Sequence, residues 1–369
     1  MTDPRVDKLA QVLVNYSTAI QPGQKVFIQG GVTAAPLMRS VVAEVLRAGG
    51  HPLAMAQVPG MNELLYELAS EEQLQYIPEP MTLVMETYDA MISLMSSENT
   101  KALTNVPPQK MMLTSRAQRE IMATFMRRSA AGEVRWVGTL FPTNAYAQDA
   151  EMGLREYEDF VYRACLPDFE DPAGHWERLS AWQQSIVDVL DGKNRLEVRG
   201  PDVELSLAIA ERRFVNCDGK RNMPDGEVFT GPVEDSVEGH VRFSYPSTYQ
   251  GRTIEGIHLW FEKGKVVKAT ADKDEAFLLE MLETDEGARY VGEFAVGTNV
   301  GITRATGNTL FDEKIGGSFH MALGAGLPET GSVNESAIHW DMVCDLKDGG
   351  EIHADGELIY KDGKFTIGS

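Results

Sequence analysis

His320, His339 and Asp341 are the residues of this chain whose types and spacing could best hold a metal ion. The last two belong to the run His339-Trp340-Asp341. Side chains alternate along an extended strand, so the imidazole and the carboxylate share one face and Trp340 points away. Such a pair is a common way to bind a first-row divalent metal. His320 stands nineteen residues earlier, across a loop containing Gly and Pro that can fold it back onto the same site. By themselves, two imidazoles and one carboxylate are also the donor set of mononuclear non-haem iron oxygenases.

The elements that must position these residues lie in the second half of the chain. From Leu196 onward come short β-like runs separated by Gly, Asp and Asn, with one helix expected over Asp272–Leu282. Lys263-Gly264 and Asp362-Gly363 are hairpin signals. The first half reads differently. Its N-terminal helix is set by Val6, Leu9, Ala10, Leu13 and Tyr16 at helical spacing. Strands follow at Lys25–Gln29, Pro52–Gln57, Ala90–Leu94 and Val134–Leu140, with helices between them. Strand–helix–strand units normally give parallel strands. The expected architecture is an α/β domain over 1–192 with an open, mostly parallel sheet of Rossmann or flavodoxin type. A β-rich α+β metal-binding, catalytic domain over 193–369 follows it. Gly30-Gly31 matches neither a dinucleotide fingerprint nor a phosphate loop and reads as a tight strand-to-helix turn.

The chain has 369 residues and a net charge of −21. That charge argues against a nucleic-acid footprint and against anionic membrane surfaces. No apolar run reaches membrane-spanning length. Cys165, Cys217 and Cys344 are odd in number and lack a Cys-x-x-Cys pair, which suits reduced thiols in a cytoplasmic setting. The start, MTDPRVDKLAQVLVNY, does not read as a signal peptide.

Two more carboxylates stand out by context. Glu227 follows the turn residues Pro224, Asp225 and Gly226, and Glu293 is flanked by glycines and apolar residues in YVGEFAVGTN. Four segments in order, EVFTGP, GEFAVG, NTLFDEKIGGSFHMALG and NESAIHWDMVCD, resemble the metalloaminopeptidase family of aminopeptidase T, aminopeptidase S and PepS. The resemblance covers nearly the whole C-terminal half, and the α/β first half and overall length fit it. It implies a hydrolase that releases N-terminal residues from peptides with a free N-terminus. It also implies two divalent ions per chain (Zn, Co or Mn) and a homodimer with enclosed active sites.

Carried over by motif, the implied metal ligands are Glu227, Glu293, His320, His339 and Asp341. A carboxylate must then move the proton of the attacking water; Glu293 is the candidate and Glu227 mainly a ligand, two roles that the sequence does not separate. The family also carries a tyrosine seven residues after the first histidine, and here that position is Leu327. A leucine can neither donate to a tetrahedral oxyanion nor move a proton. The competing expectation is a ring-cleaving dihydroxypyridine dioxygenase, a group that resembles this fold. It would hold one iron on His320, His339 and Asp341.

Overall fold

Buried runs of Val26–Ile28, Ala90–Ile92 and Val137–Leu140 build the first sheet. The structure is a computed structural model that describes residues 3–368. Four strands, β1 (Lys25–Gly31), β2 (His51–Gln57), β3 (Ala90–Met95) and β4 (Arg135–Leu140), lie in the order β2-β1-β3-β4. The two-residue strand Asn222–Met223 completes the β4 edge, and every pairing is parallel. Helices α1 (Pro4–Gln11), α2 (Ala35–Arg47), α3 (Pro108–Ala130) and α4 (Leu154–Cys165) accompany them. Asp3 caps α1 by accepting from the Arg5 backbone, and Val6, Leu9 and Ala10 form its buried stripe. At the end of β1, a Cβ on Gly30 would lie 2.6 Å from the Leu94 carbonyl oxygen. Close strand packing therefore explains that glycine, and α2 follows after a single 3₁₀ turn.

This first compact unit comprises Met1–Ala173 and Gly219–Pro224; the second comprises Gly174–Asp218 and Asp225–Ser369. Helix α5 (Pro172–Leu190) opens the second unit, and its Ile186 and Leu190 enter that unit's core. Residue 192, taken above as the domain boundary, lies just past the end of α5.

The second unit holds two main antiparallel sheets, besides the short two-stranded pair of Ser247–Tyr249 with Arg252–Ile254. The larger has eight strands, with Val203–Ala208 and Arg195–Gly200 at its centre. The smaller has five: β5 (Val215–Cys217), β6 (Glu227–Thr230), β7 (Val291–Gly297), β8 (Ser318–Gly324) and β9 (His339–Asp345). Their order is β9-β8-β7-β6-β5. One apolar cluster joins both sheets, bringing Val198, Leu205 and Leu259 together with Val228, Phe294, Phe319, Met321 and Trp340. The expected helix near residue 272 is present as Glu275–Met281. Both hairpin signals are turns in which the two central residues have positive φ: Lys263 at 49° and Gly264 at 76°, Asp362 at 47° and Gly363 at 80°.

Candidate metal centre

Period-two alternation sorts the smaller sheet into two faces. Val228, Phe294, Phe319, Met321, Trp340 and Met342 point into the core. Glu227, Glu293, His320, His339 and Asp341 occupy the alternate positions on the same strands. Register then brings them together. Ala322 of β8 lies between Glu293 of β7 and Asp341 of β9, and Ala295 of β7 is opposite His320. Glu227 of β6 is opposite Gly297. Small residues thus separate the functional ones and leave space above the sheet. A bulge between Val291 and Glu293 sets this register. A Cβ on Gly292 there would meet the Ala325 carbonyl oxygen at 2.3 Å, so the bulge requires glycine.

All five expected ligands converge. His320 Nε2 is 3.3 Å from Glu293 Oε1, and His339 Nε2 is 3.2 Å from Glu293 Oε2. Asp341 Oδ1 is 3.6 Å from His339 Nε2 and 3.8 Å from His320 Nε2. Glu227 Oε2 is 3.9 Å from His320 Nε2. Among the described residues four triads have donor atoms close enough to share an ion; besides Cys217, Asp225 and Glu227, and Glu313, His320 and Asp341, the two built wholly from the expected ligands are Glu227, Glu293 and His320, and Glu293, His339 and Asp341. Glu293 is common to both.

Backbone carbonyls aim the imidazoles. His320 Nδ1–H donates to the Glu313 carbonyl at 2.9 Å, and His339 Nδ1–H to the Ala325 carbonyl at 2.7 Å. Each ring therefore turns Nε2 toward the carboxylates, the usual way a ligating histidine is oriented.

The electrostatics are those of clustered carboxylates with little water. Burial alone would drive His320 toward neutrality. The bond to Glu293 and the fields of Glu227, Glu293 and Asp341 win and lift it to about 10. Burial opposes the charge on His339 too, but Asp341 and Glu293 raise it to about 11. Burial raises Glu227, against the pull of Lys314 and His320. Burial would also raise Glu293, but hydrogen bonds from His320 and His339 hold it well below the usual carboxylate range.

Two residues that the sequence reading left unused complete the site. Lys314 is fully buried, with its Nζ 3.6 Å from Glu227 Oε1 and in contact with Glu313. Glu313 in turn has a carboxylate oxygen grouped with His320 and Asp341. The helical turn Thr309–Asp312 presents both residues. Its Asp312 accepts from the backbone N–H groups of Thr306 and Gly307 and from the Thr306 hydroxyl, which fixes the preceding loop. The available signal was a charged pair, Glu313-Lys314, enclosed by Phe311 and Ile315. The other histidines lie elsewhere: His240 and His258 pair at 3.4 Å on the larger sheet, and His353 approaches Glu351.

The family described as thermophilic metalloprotease (M29) matches residues 2–365. The chain belongs to this family. Aminopeptidase 2 of Geobacillus stearothermophilus is 28% identical, over 98% of this chain and 95% of that protein. Aminopeptidase T of Thermus thermophilus is 28% identical over 98% and 96%, and aminopeptidase AmpS of Bacillus subtilis 28% over 98% of both. Among solved structures, wild-type AmpT from Thermus thermophilus superposes with a TM-score of 0.84 at 25% identity, covering 99% of each chain. Family membership makes this chain a metal-dependent hydrolase and implies a divalent metal. The dihydroxypyridine dioxygenase expectation has no support from the family match or from these relatives.

The residues present fit such a metal. Glu227 Oε2 and Asp341 Oδ1 are buried without a hydrogen-bond partner, and both point into the cluster. Buried carboxylate oxygens are costly to leave unpaired, and a cation would satisfy them. The nitrogen and oxygen donors suit zinc, cobalt or manganese, and no thiolate belongs to either triad.

Proposed function

We propose that this chain is an aminopeptidase that removes N-terminal residues from peptides at a dinuclear divalent centre. The observation carrying this reading is Glu293, whose two oxygens face the two histidines and which belongs to both donor triads. Glu227, Glu293 and His320 would hold one ion, and Glu293, His339 and Asp341 the other. Zinc, cobalt and manganese all suit these donors. When bound, such ions polarise the scissile carbonyl and lower the pKa of a coordinated water toward ~7.

The protein's own groups supply the rest. The carbonyls of Glu313 and Ala325 keep Nε2 of each histidine free for ligation. Glu293, through a carboxylate oxygen not then engaged by an ion, would take the proton of the attacking water and pass it to the leaving amine. Asp341 is half-buried at the more open side of the cluster, beside His339, whose side chain is 32% exposed. That side is where a peptide's free amine meets carboxylate oxygens. The relatives named above are called aminopeptidases, which supports a substrate with an unblocked N-terminus.

Two further features belong to the same reading. The first unit exposes Leu53 and Met55 on edge strand β2, Leu64 and Leu68 on the following helix, and Met122 and Met126 on α3. Exposed apolar area of this extent supports a homodimer. No helix among the described residues is long and apolar enough to cross a membrane. Burial raises the thiols of Cys165 and Cys344 above the usual cysteine range, which supports reduced cysteines in a cytoplasmic setting.

The test compares unblocked aminoacyl anilides with their N-acetylated forms, using protein loaded with zinc, cobalt or manganese. Hydrolysis of the unblocked substrates alone is expected, with about two ions per chain by elemental analysis. Equal cleavage of both substrate forms would remove the aminopeptidase reading. One ion per chain would remove the dinuclear centre.

A further inference from the structure

Lys314 is an unusual residue to find at this place. Its side chain is fully inaccessible, although lysine is almost never fully buried unless paired. Its partners are carboxylates of the cluster: Glu227 through Oε1 at 3.6 Å, and Glu313. Glu227 therefore has two unlike oxygens. Oε1 faces the ammonium, while Oε2 has no hydrogen-bond partner and faces His320. The lysine thus restricts Glu227 to one free donor atom. It also engages the Glu313 carboxylate, which otherwise sits within reach of His320 and Asp341 as a competing ligand.

The ammonium is placed asymmetrically with respect to the two triads. It contacts Glu227, a member of only one of them, and its ion pairs reach neither His339 nor Asp341. A fixed positive charge beside a cation site weakens that site by Coulomb repulsion, most strongly where water is excluded. Among the described residues the ion pairs of the other triad's carboxylates are with histidines alone, and that triad opens toward solvent at His339.

We propose that Lys314 is a positioning residue that makes the two metal positions unequal. It holds Glu227 to single-oxygen ligation and makes the Glu227–Glu293–His320 position the weaker, last-filled one. This inference rests on the dinuclear reading above. It predicts an enzyme whose second ion exchanges while the Glu293–His339–Asp341 ion stays bound.

Calorimetric zinc titration of the full-length, metal-stripped protein, with a competing chelator, tests this. The unmodified protein should bind in two steps at least about tenfold apart. Glu227→Gln should remove the weaker step and leave the tighter one. Lys314→Met should tighten the weaker step at least about tenfold while the tighter step shifts less than about threefold. Two equal steps in the unmodified protein, loss of the tighter step in Glu227→Gln, or an unchanged or weakened second step in Lys314→Met would each overturn the assignment. Should Lys314→Met fail to fold, Lys314→Gln keeps the chain length and polarity. The unmodified and Glu227→Gln titrations still decide the filling order. Two ions bound with equal affinity would sink only the role of Lys314; a single ion would sink the dinuclear reading with it.

Discussion

His339 Nε2 lies 3.2 Å from Glu293 Oε2, and the strand between them sets Ala322 opposite Glu293 and Gly324 opposite His339. Their positions are set by strand register, and neither side chain belongs to the hydrophobic core. Ligation at this side of the cluster is thereby separable from folding.

His339→Ala and Asp341→Ala are expected to lower bound metal and abolish hydrolysis while leaving the chain folded. His320 is different, with 1% of its surface exposed and two hydrogen-bonded ring nitrogens. His320→Ala should lose metal as well and should also cost about 1–3 kcal/mol of stability. Elemental analysis and thermal melts of the three variants check both statements. Unchanged metal content in His339→Ala and Asp341→Ala would remove those residues from the site.

Much of this site was legible because β-strand alternation is simple. The His-Trp-Asp run could place its outer residues on one face with no knowledge of the fold. Glu227 and Glu293 needed more, since a lone carboxylate in an apolar strand has several uses; motif order resolved them. Lys314 and Glu313 were not legible. Their importance comes from burial beside Glu227 and His320, which depends on how the turn Thr309–Asp312 packs against the sheet. The α/β and β-rich halves were readable from the change in strand and turn pattern after Gly192. The helix boundaries were less so. After the strand His51–Gln57 come two separate helices, Met61–Leu68 and Glu71–Leu74, because Ser70 starts a new capping box.

Metal binding should release protons. Without metal, the surrounding carboxylates overcome burial and push His320 up to about 10 and His339 up to about 11, both above the usual 6.5. Raised imidazole pKa values stabilise the metal-free fold fully below pH 6.5, and that contribution is lost as pH rises through 10 to 11. Ligation needs neutral imidazoles, so bound metal acts in the opposite sense. At pH 7, loading both positions should release about two protons from the histidines, and the overall affinity should rise with pH up to about 10. Calorimetry in buffers of different ionisation enthalpy measures the release. Binding without proton release would mean that the histidines are not ligands.

The exposed apolar residues of the first unit should be covered in solution. Leu64 is 50% and Leu68 74% exposed on the helix Met61–Leu68, and no residue of that helix is buried. Light scattering at micromolar concentration is expected to give twice the chain mass. Leu64→Lys with Leu68→Lys should shift the mass toward that of one chain, with little loss of unit stability because neither residue is in a core. A monomeric unmodified protein would remove the homodimer.

Leu327 marks the point where this chain departs from the tyrosine that its motif resemblance implies. The leucine is half-buried and ends in the 3₁₀ turn Pro328–Thr330, where its carbonyl accepts from the Thr330 N–H and hydroxyl. Those contacts are made by backbone, so they survive a change of side chain. Its φ of −97° and ψ of 113° are ordinary extended values that tyrosine adopts without strain. Losing one oxyanion donor typically costs ~10²–10³ in turnover. The unmodified protein is therefore expected to cleave unblocked dipeptides slowly. Leu327→Tyr should raise turnover by up to ~10²-fold with bound metal unchanged. Overpacking could offset part of this by about 1–3 kcal/mol of stability, which a thermal melt would report. If the unmodified protein already turns over rapidly and Leu327→Tyr adds nothing, another group supplies the missing donor. If neither form cleaves a peptide with zinc, cobalt or manganese bound, the aminopeptidase assignment itself fails.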